Sequence, residues 1–107
     1  MAIKLRTKRP NTTLKRIVEA LKDYAVDHPT AEIEAYRQNS VSVRIRIVDS
    51  TFAGKSRAAR EDDLWGFLDR LPEEVVAEIS LLLLLTPDEV EKSFANFEFE
   101  NPIPSKR

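Results

Sequence analysis

A chain of 107 residues amounts to one domain, large enough to bury a core without metal or disulfide support. Its 42% hydrophobic and 33% charged residues are an ordinary globular mixture, which excludes disorder of the whole chain, and the lack of cysteine excludes disulfides, thiolate-held iron–sulfur clusters and cysteine nucleophiles. The net charge of −1 hides a split, because residues 1–60 carry 13 Lys/Arg against 6 Asp/Glu and residues 61–107 carry 4 against 12.

Residues 1–10 read as a basic, flexible arm without the apolar stretch of a secretory signal. A helix follows, capped by Asn11, with Leu14, Ile17, Val18, Leu21 and Ala25 at helical spacing. His28-Pro29 ends it, because a residue before proline is pushed out of the α region. Residues 31–36 alternate weakly. Residues 41–48 alternate strongly, with Val41, Val43, Ile45 and Ile47 on one face and Ser42, Arg44 and Arg46 on the other. The two runs predict an antiparallel hairpin, with Glu32 and Glu34 across from Arg44 and Arg46.

A loop over Asp49–Lys55 leads into a second helix over about residues 56–71, with Leu64, Phe67, Leu68 and Leu71 as its stripe. Pro72-Glu73-Glu74 starts a short third helix. Ile79–Leu85 is a third strand, apolar on both faces. Its phase puts Ile79, Leu81, Leu83 and Leu85 in the core and leaves Leu82 and Leu84 opposite. Thr86-Pro87-Asp88-Glu89 has the form of a capping box and predicts a helix to about Ala95. In the tail, residues 96–107, Phe97 and Phe99 alternate with Glu98 and Glu100 like a short strand, and Pro102 and Pro104 stop it. With Phe94 and Ile103 these residues are expected to fold back over Leu82 and Leu84 or onto a sheet edge, in one chain or across a homodimer.

The predicted class is therefore α+β, in the order α-β-β-α-α-β. A three-stranded mixed sheet carries helices on one face, with a short C-terminal helix and tail. The domain spans residues 11–95. The longest apolar run, Leu81–Leu85, is far short of the ~20 residues of a membrane span, so a soluble, cytoplasmic protein is expected.

Catalytic chemistry finds little footing. His28 is the sole histidine, so a zinc site would rest on carboxylates, unlike the usual nitrogen and sulfur ligand sets. Ser42, Ser50 and Ser56 lack a convincing base. Glu61, Asp62 and Asp63 suit the start of a helix, where the macrodipole favours negative charge. The loop Phe52-Ala53-Gly54-Lys55-Ser56-Arg57 runs from strand to helix, a natural place for an anion. It is not a phosphate-binding GxxxxGK[ST] loop, because Asp49 stands where the first glycine belongs. Arg37, Arg44, Arg46, Lys55, Arg57 and Arg60 form a basic group, the candidate nucleic-acid surface. Aromatic residues for stacking bases are few there, so weak, non-specific, salt-sensitive binding is expected.

Residues 41–60, with F-x-G-x-S-R-x-x-R at Phe52–Arg60, resemble the centre of BolA-like proteins, and Leu84-Leu85-Thr86-Pro87-Asp88-Glu89 resembles that family's closing strand and T-P-E-E turn. The likeness covers roughly residues 14–90 and agrees with the predicted element order. It implies a topology like class II KH domains and a non-enzymatic adaptor or regulator. Phe52, Gly54, Lys55, Ser56, Arg57, Arg60 and Glu61 are then the partner-binding candidates. Some family members bind DNA, and many pair with monothiol glutaredoxins through a shared [2Fe–2S] cluster, using a histidine after the second arginine of the motif and a Cys or His in the hairpin loop. This chain has Glu61 and Gln38-Asn39-Ser40 at those places. A carboxylate is a hard ligand poorly matched to such a cluster, so no metal or cofactor is expected. The expected function is a BolA-like protein-interaction module. Its rival is a KH-like nucleic-acid binder.

Overall fold

The computed structural model describes residues 2–7 and 9–101. Strand β1 (Ala2–Leu5) precedes helix α1 (Thr12–Asp27), the hairpin strands β2 (Glu32–Asn39) and β3 (Ser42–Val48), and a 3₁₀ turn at Ser50–Phe52. Helices α2 (Arg57–Leu68) and α3 (Glu73–Val76) lead to strand β4 (Ile79–Leu85), and α4 (Pro87–Val90) and α5 (Phe94–Glu100) follow. The sheet order is β1-β2-β3-β4, with β2 and β3 antiparallel and the two outer pairs parallel.

Helix α1 forms as its sequence dictates. The Asn11 side chain accepts the Leu14 N–H at 2.9 Å, and the helix stops at His28 before Pro29. Its buried stripe of Leu14, Ile17, Leu21, Tyr24 and Ala25 packs on Ile33, Ala35, Val43, Ile45 and Ile47. Leu64 and Leu68 of α2 and Val75 of α3 close the same core. Each fully buried leucine or isoleucine contributes about 1.5–3 kcal/mol.

Several features differ from the sequence expectations. The arm expected over residues 1–10 is in part a strand: β1 pairs with β2, and Ile3 and Leu5 pack against the core. Four residues are too short a run for periodicity to announce, yet they cover an edge of β2 that would otherwise stand open. The sheet accordingly has four strands instead of three.

The phase of β4 is also reversed. Leu84 and Leu82 face the helical core, while Leu81, Leu83 and Leu85 join Tyr36 and Phe99 on the other face. The cause is a register shift: Ile79 lies opposite Val43 but Leu81 lies opposite Arg44, so one extra residue enters β4 and flips the alternation.

Helices cover both faces of the sheet, since α5 packs on the side away from α1 and α2. The expected single helix to Ala95 ends at Val90. A new one starts at Phe94, where the Ser93 hydroxyl accepts the Asn96 N–H at 3.0 Å. Residues 97–100 are thus helical instead of strand-like, and a tail beginning at residue 96 cuts through α5. The expectations for Pro102, Ile103 and Pro104 lie outside the described residues.

Candidate functional site

The segment joining β3 to α2 is built from the inside outward. Asp49, buried, caps the 3₁₀ turn. Its Oδ1 accepts from the Thr51 N–H at 3.0 Å and the Thr30 hydroxyl at 2.8 Å. Burial pushes the Asp49 carboxyl up, but the bonds from Thr51 and Thr30 outweigh it and hold its pKa below the ordinary value. Phe52 anchors the loop in the core. Gly54 then takes φ +80°, a left-handed turn that any other residue would enter under strain. Ser56 caps α2 by accepting the Ala59 N–H at 3.1 Å.

Arg60, one turn into α2, points inward and is 8% exposed. Its guanidinium donates to the Lys55 carbonyl at 3.2 Å, to the Leu84 carbonyl at 2.8 Å, and to both Glu89 oxygens at 2.7 and 3.2 Å. Glu89 is also the acid of the capping box, accepting the Thr86 N–H at 2.9 Å. Arg60 and then Thr86 hold the Glu89 carboxyl down at about 2. The stretch around the loop and the stretch around β4 and α4 are therefore a single packed unit. Phe52 belongs to it as well, with the Arg60 guanidinium 5.4 Å from its ring centroid.

The rest of the candidate loop faces outward. Gly54, Lys55, Ser56 and Arg57 are exposed, and Glu61 is half-buried beside them. Lys55 lies 3.7 Å from Asp63 and Arg57 lies 3.8 Å from Glu61, long and solvated pairs of little energetic weight.

The other arginines of the basic group lie apart from this loop. Arg37 stands 2.8 Å from Glu78 and donates to the Asn39 and Ser40 carbonyls. Arg44 is bonded to Glu98 and to the Tyr36 hydroxyl. Burial works against its charge, but these partners prevail and raise its pKa. Arg46 reaches Glu34 at 2.9 Å, and Glu100 and Asn96 at 2.7 Å each. Each of the six proposed nucleic-acid contacts thus already faces a carboxylate. The hairpin register sets Glu34 opposite Arg46, as expected, but Tyr36 opposite Arg44 and Val48 opposite Glu32.

Sequence reasoning missed Arg6, Asn96, Glu98 and Glu100 as partners of this arginine face. Glu34 Oε2 lies 2.7 Å from Arg6 Nε, angled so that the contact is ionic without being a hydrogen bond. The period-two pattern that places Tyr36 and Glu34 beside Arg44 and Arg46 was the available signal; nothing local placed α5 over them.

Behind the loop, His28 Nδ1 donates to the Tyr24 carbonyl at 2.9 Å, and its ring stacks 3.9 Å from that of Tyr24. Burial, with the charges of Asp49 and Asp63, pushes the Tyr24 phenol up to about 12. Among the described residues no group of three or more histidine, aspartate or glutamate side chains could hold a metal ion, and no helix is long and apolar enough to cross a membrane. No family model, curated protein or solved structure matches the chain.

Proposed function

We propose that this chain is a BolA-like binding module, a non-enzymatic adaptor that acts through protein–protein contact and ligates no iron–sulfur cluster. The observation that carries the reading is the Arg60–Glu89 link. It joins the two stretches of the resemblance and leaves Gly54–Arg57 exposed on the surface. Arg60 is then a structural member of the motif, and Lys55, Arg57 and Glu61 are the side chains offered to a partner.

The residues at the family's cluster positions do not fit a cluster. Glu61 brings a hard carboxylate already beside Arg57, and Gln38, Asn39 and Ser40 bring no imidazole or thiolate. Anaerobic reconstitution with a monothiol glutaredoxin is expected to give no visible absorption band that depends on this chain. The nucleic-acid reading is weakened by the ion pairs of Arg44 and Arg46, which phosphates would have to displace.

The test is affinity capture from the source cells, with and without nuclease, comparing the native chain with a Lys55→Glu/Arg57→Glu variant. A protein retained through nuclease treatment and lost from the variant is expected. If nuclease releases everything the native chain captures, the adaptor reading falls and the nucleic-acid reading takes its place.

A further inference from the structure

The sheet face beneath α5 has the makings of a ligand groove. Tyr36 projects from β2, Arg44 and Arg46 from β3, Leu81, Leu83 and Leu85 from β4, and Arg6 reaches in after β1. Without α5, this surface sets three guanidiniums against the Glu34 carboxylate, around an apolar floor.

Helix α5 shows what chemistry seats there. Phe99 is fully buried, its ring 4.8 Å from that of Tyr36, with the Arg6 and Arg46 guanidiniums 4.9 and 5.0 Å from its centroid. The carboxylates on either side of it, Glu98 and Glu100, take Arg44 and Arg46. Its main-chain carbonyl accepts from the Tyr36 hydroxyl at 2.8 Å and from Arg6 at 2.6 Å. Helix α5 thus seats an aromatic ring flanked by two acids, with the Phe99 and Glu100 carbonyls on Arg6.

The occupant is also short and partly solvated. Seven residues fall below the ~12–15 at which an isolated helix becomes even marginal, so α5 depends on the contacts it makes. Glu98 and Glu100 are 37% and 48% exposed, so the acid ends of these pairs are solvated. Phe97 is 68% exposed. Beside α5, a cleft of about 590 Å³ continues from Arg44, Leu81 and Glu98 to Asn39, Ser42 and Ser80, room for further residues of a ligand.

We propose that this face is a binding groove for acidic, phenylalanine-bearing peptide segments of partner proteins, kept filled by α5 as an intramolecular occupant that such a segment displaces. The groove shares no residue with the loop at Gly54–Arg57, so the proposal stands or falls apart from the BolA-like reading.

The probe is a labelled peptide of residues 91–101, titrated into the full chain by fluorescence anisotropy. Phe99→Ala in the chain weakens the internal occupant and is expected to tighten peptide binding at least about tenfold over the native chain, because the open fraction rises. Adding Arg44→Glu should abolish binding, as should lysines in place of the peptide's glutamates at positions 98 and 100. Should Phe99→Ala not fold, Glu98→Gln/Glu100→Gln keeps the ring and loosens only the ion pairs. A folded loosened variant that ignores the peptide, or binds the lysine peptide equally well, overturns the proposal. Elution of the native chain as a dimer that must dissociate before the peptide binds would assign the groove to α5 of a second copy, and the partner proposal would fail.

Discussion

Arg60 and Glu89 lie 29 positions apart in the chain and meet through two hydrogen bonds, 2.7 and 3.2 Å long, between the fork of the guanidinium and both carboxylate oxygens. Arg60 is buried and Glu89 is 43% exposed, so the two ends of the pair are unequal. Replacing Arg60 takes the guanidinium from the Leu84 and Lys55 carbonyls and from the Glu89 carboxylate, which keeps only the Thr86 N–H. Arg60→Ala is expected to cost about 3 kcal/mol and Arg60→Lys about half of that, since an ammonium cannot reproduce the fork. Glu89→Gln, at the solvated end, should cost about 1 kcal/mol. Urea unfolding orders the three variants; equal losses would refute the asymmetry.

The same carboxylate sets an acid limb. With its pKa at about 2 in the fold against an ordinary 4.5, Glu89 contributes stability that is fully present above about pH 4.5. That contribution is lost as the pH falls towards 2. The stability gap between the native chain and Glu89→Gln should therefore shrink across this window, and modestly, because the group is solvated. A gap that stays constant from about pH 5 to pH 2 would exclude the link.

The two glycines respond in opposite directions to alanine. Gly54 has open space around its Cβ position but sits at φ +80°, so Gly54→Ala is expected to cost about 1 kcal/mol by backbone strain alone. Gly66 lies inside α2, also with open space and without a left-handed φ, so Gly66→Ala should stabilise by about 0.5–1 kcal/mol. Thermal melts of both variants check the pair, and a stabilised Gly54→Ala would contradict the turn geometry.

Tyr24 is fully buried, and its hydroxyl has no hydrogen-bond partner among the described residues. Tyr24→Phe keeps the ring packing and removes a desolvated polar group, so it is expected to gain about 1 kcal/mol at neutral pH. The native phenol, raised from 10.0 to about 12, adds no pH dependence below pH 10; above it the unfolded chain ionises first, and the fold loses stability as the pH rises to 12. Denaturation curves across that range should fall more steeply for the native chain than for Tyr24→Phe. Parallel curves would count against a buried phenol.

Much of the fold was legible because its signals are local. Asn11 and Pro29 bracket α1, Thr86–Glu89 forms its capping box, and Val43, Ile45 and Ile47 alternate into the core, each through the geometry of a few neighbouring residues. The phase of β4 was not legible, because its five consecutive leucines look alike from either face and the extra residue near Ser80 appears only in its pairing with β3. Nor could FEFE at residues 97–100 declare itself a helix: its alternation suits a strand, and the Ser93 cap and the arginine face beneath it decide otherwise. The same division holds for the candidate sites. The sequence alone determined which residues stand in the loop at Gly54–Arg57. The tertiary structure decided that Arg60 turns inward to Glu89 while Arg44 and Arg46 lie under α5, because a long cation's role depends on which carboxylates the folded chain brings within its reach.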